Sequence, residues 1–186
     1  MKPFVVLGWV LLLLSLNTCS DTSTDSSSND RRQPVIRVPD DAPTIRAALE
    51  AARDGDTILV ADGVYQGDGN RDLSMPDLSV VIRSVNGPAA TIIDCQGEPE
   101  SLHYIFAFDD LRGSVVIRGL TFRGAYDNHG AVRCKSASPT FVNCVFIDNH
   151  ATVSGGALRC KSASPTLRNC TITGNSSAGV GGGLFL

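Results

Sequence analysis

The sequence predicts an all-β solenoid, a parallel β-helix in which each turn of chain lies on the one before it. Three observations predict it. Residues 130–149 read GAVRCKSASPTFVNCVFIDN and residues 156–175 read GALRCKSASPTLRNCTITGN, with 13 of 20 positions identical at an offset of 26 residues. Inside the unit, apolar and charged residues alternate with the period of a strand: Val132 and Cys134 point in, Arg133 and Lys135 point out. Third, a unit this short cannot bury its apolar side alone and must stack on its neighbours. Three short runs fit in each unit, so coils would lie about 4.8 Å apart.

Before the solenoid comes a segment that is not part of the fold. Lys2 is followed by an almost unbroken apolar run from Phe4 to Leu16, the length of a signal-peptide core and short for a membrane span. Residues 1–19 are read as a signal peptide ending in Leu16-Asn17-Thr18-Cys19, which resembles a lipoprotein signal with Cys19 as the lipidated residue. Asn17 and Thr18 depart from the small residues that such signals prefer. Secretion with Cys19 unmodified, or a retained anchor helix, stays open beside it. Residues 20–34 are rich in Ser, Thr, Asp and Asn and read as a solvated tether. Each version places the folded part, residues 35–186, outside the cytoplasm.

The folded part opens with a helix. Ile45, Ala48, Leu49 and Ala52 recur at helical spacing, Thr44 or Asp41 can cap the start, and Gly55 can end it. Such a helix would cover the open strand edges of the first coil. Next, Ser79-Val-Val-Ile-Arg83 recurs as Ser114-Val-Val-Ile-Arg118, an offset of 35, which is one coil plus a loop inserted around Gly97 to Ser101. In the 26-residue units, Pro139 and Pro165 open a second run with Phe141 and Leu167 inward. Asn143 and Asn169 suit a tight corner, since Asn tolerates the left-handed conformation. Cys144-Val145-Phe146 and Cys170-Thr171-Ile172 form the third run. A further copy begins at Gly182, and the chain stops at Leu186 with no cover for that end. Truncation of a longer protein, or end-to-end contact with another chain, would explain it.

These residues resemble a family. Residues 44–60, TIRAALEAARDGDTILV, followed by Gly63-Val64-Tyr65, resemble the start of right-handed parallel β-helix proteins of the pectin-lyase-like group, and residues 82–94 resemble its next coils. The resemblance spans residues 35–186 and implies a right-handed parallel β-helix of about six coils with a short N-terminal capping helix. The C-terminal units also resemble polymorphic outer membrane protein repeats, through Gly155-Gly156-Ala157-Leu158 and Phe146-Ile147-Asp148-Asn149. That implies a bacterial cell-envelope location, at the outer membrane or cell surface. The scaffold hosts lyases, hydrolases, esterases and adhesins alike, so the resemblance names a fold before it names an activity.

Composition narrows the functions. The 186 residues are 42% hydrophobic and 19% charged with a net charge of -3, which argues against a nucleic-acid partner. Charge is segregated. Residues 35–110 hold 14 acids and 5 bases, whereas residues 111–186 hold 2 acids and 8 bases. The repeat stacks Arg133 over Arg159 and Lys135 over Lys161, a basic ladder suited to an acidic polysaccharide or envelope polymer; shared solvated residues of two duplicated coils are the plainer reading.

Asp127-Asn128-His129 and Asp148-Asn149-His150 do not align in register and read as polar loops, so no metal site is expected. Cys134 with Cys160 and Cys144 with Cys170 form two inward columns, either a reduced apolar ladder or disulfides. No Asp matches an enzyme motif: Asp72, Asp77 and Asp94 are scattered and Asp109-Asp110 lies near a loop. No catalytic residue and no cofactor is therefore assigned. The expected function is a non-catalytic surface module for binding or adhesion to polysaccharide or envelope polymers. A polysaccharide lyase or glycosidase, or the remnant of one, is the alternative, with Ca2+ expected only for the lyase. A passive spacer is the third.

Overall fold

The computed structural model describes residues 34–186. The signal segment, Cys19 and the tether up to residue 33 lie outside the described residues.

Within them the chain winds as a parallel β-helix. The first coil holds β1 (Val35–Val38) and the single helix α1 (Ile45–Ala51). The next holds β2 (Thr57–Val60), β3 (Gly63–Tyr65) and β4 (Leu73–Ser74), and a third β5 (Val80–Ser84), β6 (Thr91–Asp94) and β7 (Phe106–Asp109). The fourth runs through β8 (Val115–Arg118), β9 (Thr121–Arg123), β10 (Tyr126–Asp127) and β11 (Val132–Lys135). The fifth repeats it with β12 (Thr140–Val142), β13 (Val145–Ile147), β14 (His150–Ala151) and β15 (Leu158–Lys161). The last is β16 (Thr166–Arg168), β17 (Thr171–Thr173), β18 (Ser176–Ser177) and β19 (Leu184–Phe185).

Corresponding strands pair in parallel into four sheets. Sheet I is β1-β2-β5-β8-β12-β16, sheet II is β3-β6-β9-β13-β17, sheet III is β10-β14-β18 and sheet IV is β4-β7-β11-β15-β19. The six strands of sheet I give the expected six coils. Sheet III is additional to the expected three runs per coil. It arises where the chain bends after sheet II, around the buried side chain of Asn149.

α1 forms as expected and packs on β1 and β2. Thr44 is its N-cap, with Oγ1 accepting from the Ala47 N–H at 3.2 Å, and Ile45, Ala48 and Leu49 are buried. The helix ends at Ala52, before Gly55, which makes the next turn with φ +90°. The long coil also differs from expectation. Val80 pairs with Val115, but Ile92 pairs with Thr121, so the extra residues are divided between two corners. Residues 85–90 form one. Residues 95–105 form the other, tied down by the antiparallel bridges Glu98 to Ser101 and His103 to Tyr126.

A phenylalanine stack fills the middle of the core. Phe106, Phe108, Phe122, Phe141 and Phe146 have no solvent exposure. The Phe122 ring lies 5.9 Å from Phe106, 6.3 Å from Phe141 and 4.9 Å from Phe146. One ring on sheet II thus joins sheets IV and I and the next coil. Burial of each ring contributes about 1.5–3 kcal/mol. One coil further on, Leu167 and Ile172 replace Phe141 and Phe146 and are half-buried.

Asn149 is the polar part of the same core. It is 1% exposed. Its Oδ1 accepts from the Ala125 N–H at 3.0 Å, and its Nδ2 donates to the Phe122 carbonyl at 3.0 Å and to Asn175 Oδ1 at 2.9 Å. The amide closes a corner whose backbone groups no strand would satisfy. Asn143 and Asn169 hold φ +52° and +51°, the left-handed corners that Asn was expected to supply. Ser136 and Ser162, at φ +50° and +53°, make a second such corner that the sequence did not announce.

Candidate functional site

The interior is packed, so function must sit on the outer faces and corners. Stacking in register sets what those faces carry, because each outward residue is placed beside its counterpart one coil away.

On sheet IV the expected ladder is present: Arg133 pairs with Arg159 and Lys135 with Lys161. Arg133 and Lys135 have carboxylate partners, whereas Arg159 and Lys161 make no ion pair among the described residues. The Arg133 guanidinium lies 4.2 Å from the centre of the Tyr104 ring, with Nη2 3.9 Å from Asp109 Oδ2. Lys135 Nζ donates to Asp110 Oδ2 at 3.0 Å. That contact holds the Asp110 carboxyl below the usual carboxylate range and raises Lys135. Arg159 Nε donates to the buried Ser154 Oγ at 3.0 Å, and its guanidinium carbon is 5.9 Å from the Phe185 ring. In register Asp109 lies one coil above Lys135, which puts Asp109 and its neighbour Asp110 at the same end of the column as the two cations.

Sheet I carries a second basic column. Its outward positions run Arg37, Leu59, Arg83, Arg118, Val142 and Arg168. Arg83 and Arg118 are adjacent, exposed and, among the described residues, make no ion pair. They flank a groove of about 310 Å³ that reaches from Ser84 and Gly87 to Val142 and Asn143. The repeated Ser-Val-Val-Ile-Arg segment marked this pairing in the sequence, where it served only to count coils. Another depression of about 310 Å³ lies beside α1, lined by Leu49, Leu73, Met75 and Pro76 with Arg46 and Glu50 at its rim. Its lining is mostly apolar and includes none of the basic residues of either column.

The scattered aspartates have separate duties. Asp94 Oδ2 binds the Arg123 guanidinium at 2.9 Å. Asp77 accepts the N–H groups of Arg112 at 2.6 Å and Gly113 at 3.0 Å, which hold its carboxyl below the usual range. Asp72 stands apart. Its Oδ2 meets His103 Nδ1 at 2.6 Å, its Oδ1 accepts from the Tyr104 N–H at 3.1 Å, and His103 Nε2 lies 2.9 Å from Ser101 Oγ. These three residues come together only because the 95–105 corner folds back over the turn before β4, and nothing in their spacing announced it.

The other candidates stay apart. Tyr126 pairs with His150, and their rings stack at 4.5 Å. His150 Nδ1 is hydrogen-bonded to Ser176 Oγ at 2.8 Å. Asp127 Oδ2 accepts from the His129 N–H at 3.1 Å. Among the described residues no three or more His, Cys, Asp or Glu side chains converge on a metal position.

All five described cysteines are free. Cys134 and Cys160 are in register. The hydrogen bond to Cys160, with burial, pushes the Cys134 thiol up, and accepting that bond lowers Cys160. Burial pushes Cys144 up to about 11.

Residues 143–161 match the family model described as the Chlamydia polymorphic membrane protein (Chlamydia_PMP) repeat. The chain is a parallel β-helix repeat protein, and residues 143–161 are similar to a repeat of the polymorphic membrane protein type. The geometry gives these repeats a physical meaning. The matched stretch begins at the left-handed corner of Asn143, includes the buried Asn149 amide, and ends with β15. Gly155 sits at φ +68°, and at Gly156 a Cβ would run into the carbonyls of Ser176 and Gly182 in the next coil. Phe-x-x-Asn and Gly-Gly-Ala-Leu are therefore the corner amide and the close approach that stacking requires. The repeats and the solenoid fit a surface- or outer-membrane-associated β-helix protein. No curated protein and no solved structure matches the chain.

Proposed function

We propose that the chain is an envelope-surface binding module whose stacked arginines hold an anionic polymer, an acidic polysaccharide being the first candidate. In this reading Cys19 carries the lipid that ties the module to the membrane, and the segment after it is the tether. The observation that supports binding is the register. Parallel stacking sets Arg83 beside Arg118 and Arg133 beside Arg159, so like charges that repel one another are relieved by a ligand with repeated acidic groups. Guanidinium groups are suited to it, because their planar fork donates two hydrogen bonds to a carboxylate or sulfate. Sheet I is the stronger arm, since Arg83 and Arg118 both lack a carboxylate partner among the described residues, whereas Arg133 on sheet IV has Asp109. Sheet IV, with Arg133, Arg159, Lys135 and Lys161, extends the surface.

The test is retention of the full chain on immobilised polygalacturonate, eluted with salt. R83S/R118S is expected to weaken retention about ten- to a hundredfold, the value of a charge-assisted hydrogen bond. R133S/R159S is expected to lose less. A larger loss from the second pair would move the polymer to sheet IV. Unchanged elution of both would end the proposal.

A further inference from the structure

We propose that Ser101, His103 and Asp72 form a hydrolytic relay for carboxylic esters, with Ser101 as nucleophile. The argument is geometric. Asp72 Oδ2 lies 2.6 Å from His103 Nδ1, and His103 Nε2 lies 2.9 Å from Ser101 Oγ. A carboxylate at Nδ1 holds the proton there and leaves Nε2 free to accept the hydroxyl proton, which is the order of groups that activates a serine.

Each member is held in place. The other Asp72 oxygen accepts the Tyr104 N–H at 3.1 Å and the Asp72 N–H donates to the Tyr104 carbonyl at 2.8 Å, so the carboxylate cannot turn away. Ser101 exchanges two backbone hydrogen bonds with Glu98, and His103 exchanges two with Tyr126. Asp72 itself occupies φ +51°. Ser101 is exposed whereas the His103 side chain is only 18% exposed, so the nucleophile faces solvent and its base is sheltered behind it.

The reaction balances with water as the only co-reactant. Ser101 Oγ bonds to the ester carbonyl carbon as its proton passes to His103 Nε2. The carbon–oxygen bond to the alcohol breaks, and Nε2 returns that proton to the departing oxygen. Water then attacks the acyl-serine, gives a proton to Nε2, and releases the carboxylic acid as Ser101 Oγ regains its proton. A small acyl group on a sugar hydroxyl is the substrate class. Tyr104, next in the chain to His103, lies under the Arg133 guanidinium, so an acidic chain along sheet IV would pass the serine. The polymer as carrier rests on the binding reading above; the ester chemistry does not.

The relay is tested with a fluorophosphonate probe, which bonds covalently to activated serines, on the full chain. Peptide mapping is expected to find the label on Ser101, and H103Q is expected to slow labelling by about a hundredfold or more, the contribution of a positioned base. No label on Ser101 in protein with a β-rich circular dichroism spectrum would overturn the proposal, as would labelling that H103Q leaves unchanged. D72N would loosen the corner that Asp72 ties to Tyr104, so a second variant is read by a different reagent. S101C is expected to react with iodoacetamide markedly faster than S101C/H103Q, and equal rates would overturn the relay. The fluorophosphonate and iodoacetamide readouts use no polymer, so failure of polymer binding and failure of the relay are told apart.

Discussion

Sheets I and IV are built by the same rule and end in different electrostatic states. Both repeat a cation from one coil to the next at parallel-strand spacing. On sheet IV the column above Lys135 begins with Asp109, Asp110 follows at the corner, and Tyr104 lies beneath Arg133. On sheet I Arg83 and Arg118 are separated from the other arginines of the column by Leu59 and Val142 and meet no carboxylate among the described residues. A repeat copies a residue without copying its partner. The free charge on a solenoid face is therefore decided by the neighbouring coil.

The largest expected effect tests whether the two faces share one support. Phe122 touches rings on the strands of both sheets. Phe122→Ala is expected to cost about 4 kcal/mol of stability, measured by urea unfolding, and to weaken retention by both faces together. Loss confined to one face would mean that they are held independently.

A smaller effect sharpens the contrast. Asp110→Asn removes the partner of Lys135, so sheet IV should behave more like sheet I. Binding to polygalacturonate is expected to tighten by about twofold, seen as elution at higher salt. Weaker binding would show that the pair orders the ligand-facing surface.

The smallest effect concerns pH. Asp77 accepts two N–H groups from the turn that leads into β8, the strand of Arg118, and they depress its carboxyl in the folded protein. A depressed carboxylate contributes stability above the unfolded value of about 3.9 and loses it as pH falls through the folded value. Asp77→Asn is expected to lower the melting temperature slightly at pH 7, and the gap should close in acid below the folded value. A gap that persists there would assign the effect to shape instead of charge.

Much of the fold was legible because stacking leaves a periodic trace. The offset between Val132 and Leu158 is the coil length, alternation marks the inward residues, and Asn143 marks a left-handed corner. The basic ladder was legible for the same reason. The Asn149 amide was less so, since a lone Asn after Phe146 resembles any polar bend until Asn175 is seen beneath it. The division of the long coil between residues 85–90 and 95–105 had no periodic trace, because insertions are where the repeat fails. The meeting of Asp72 with His103 and Ser101 was hidden for that same reason.

Periodicity in one dimension is enough to specify coils, register, inward faces and like residues beside like, because each coil can bury its apolar side only against a copy of itself. It is silent on contacts between unlike positions. Tyr104 under Arg133, Asp110 against Lys135 and the line from Asp72 to Ser101 all depend on how irregular corners fold back over regular coils. That path is set by backbone hydrogen bonds such as those joining His103 to Tyr126, whose partners no spacing in the chain encodes.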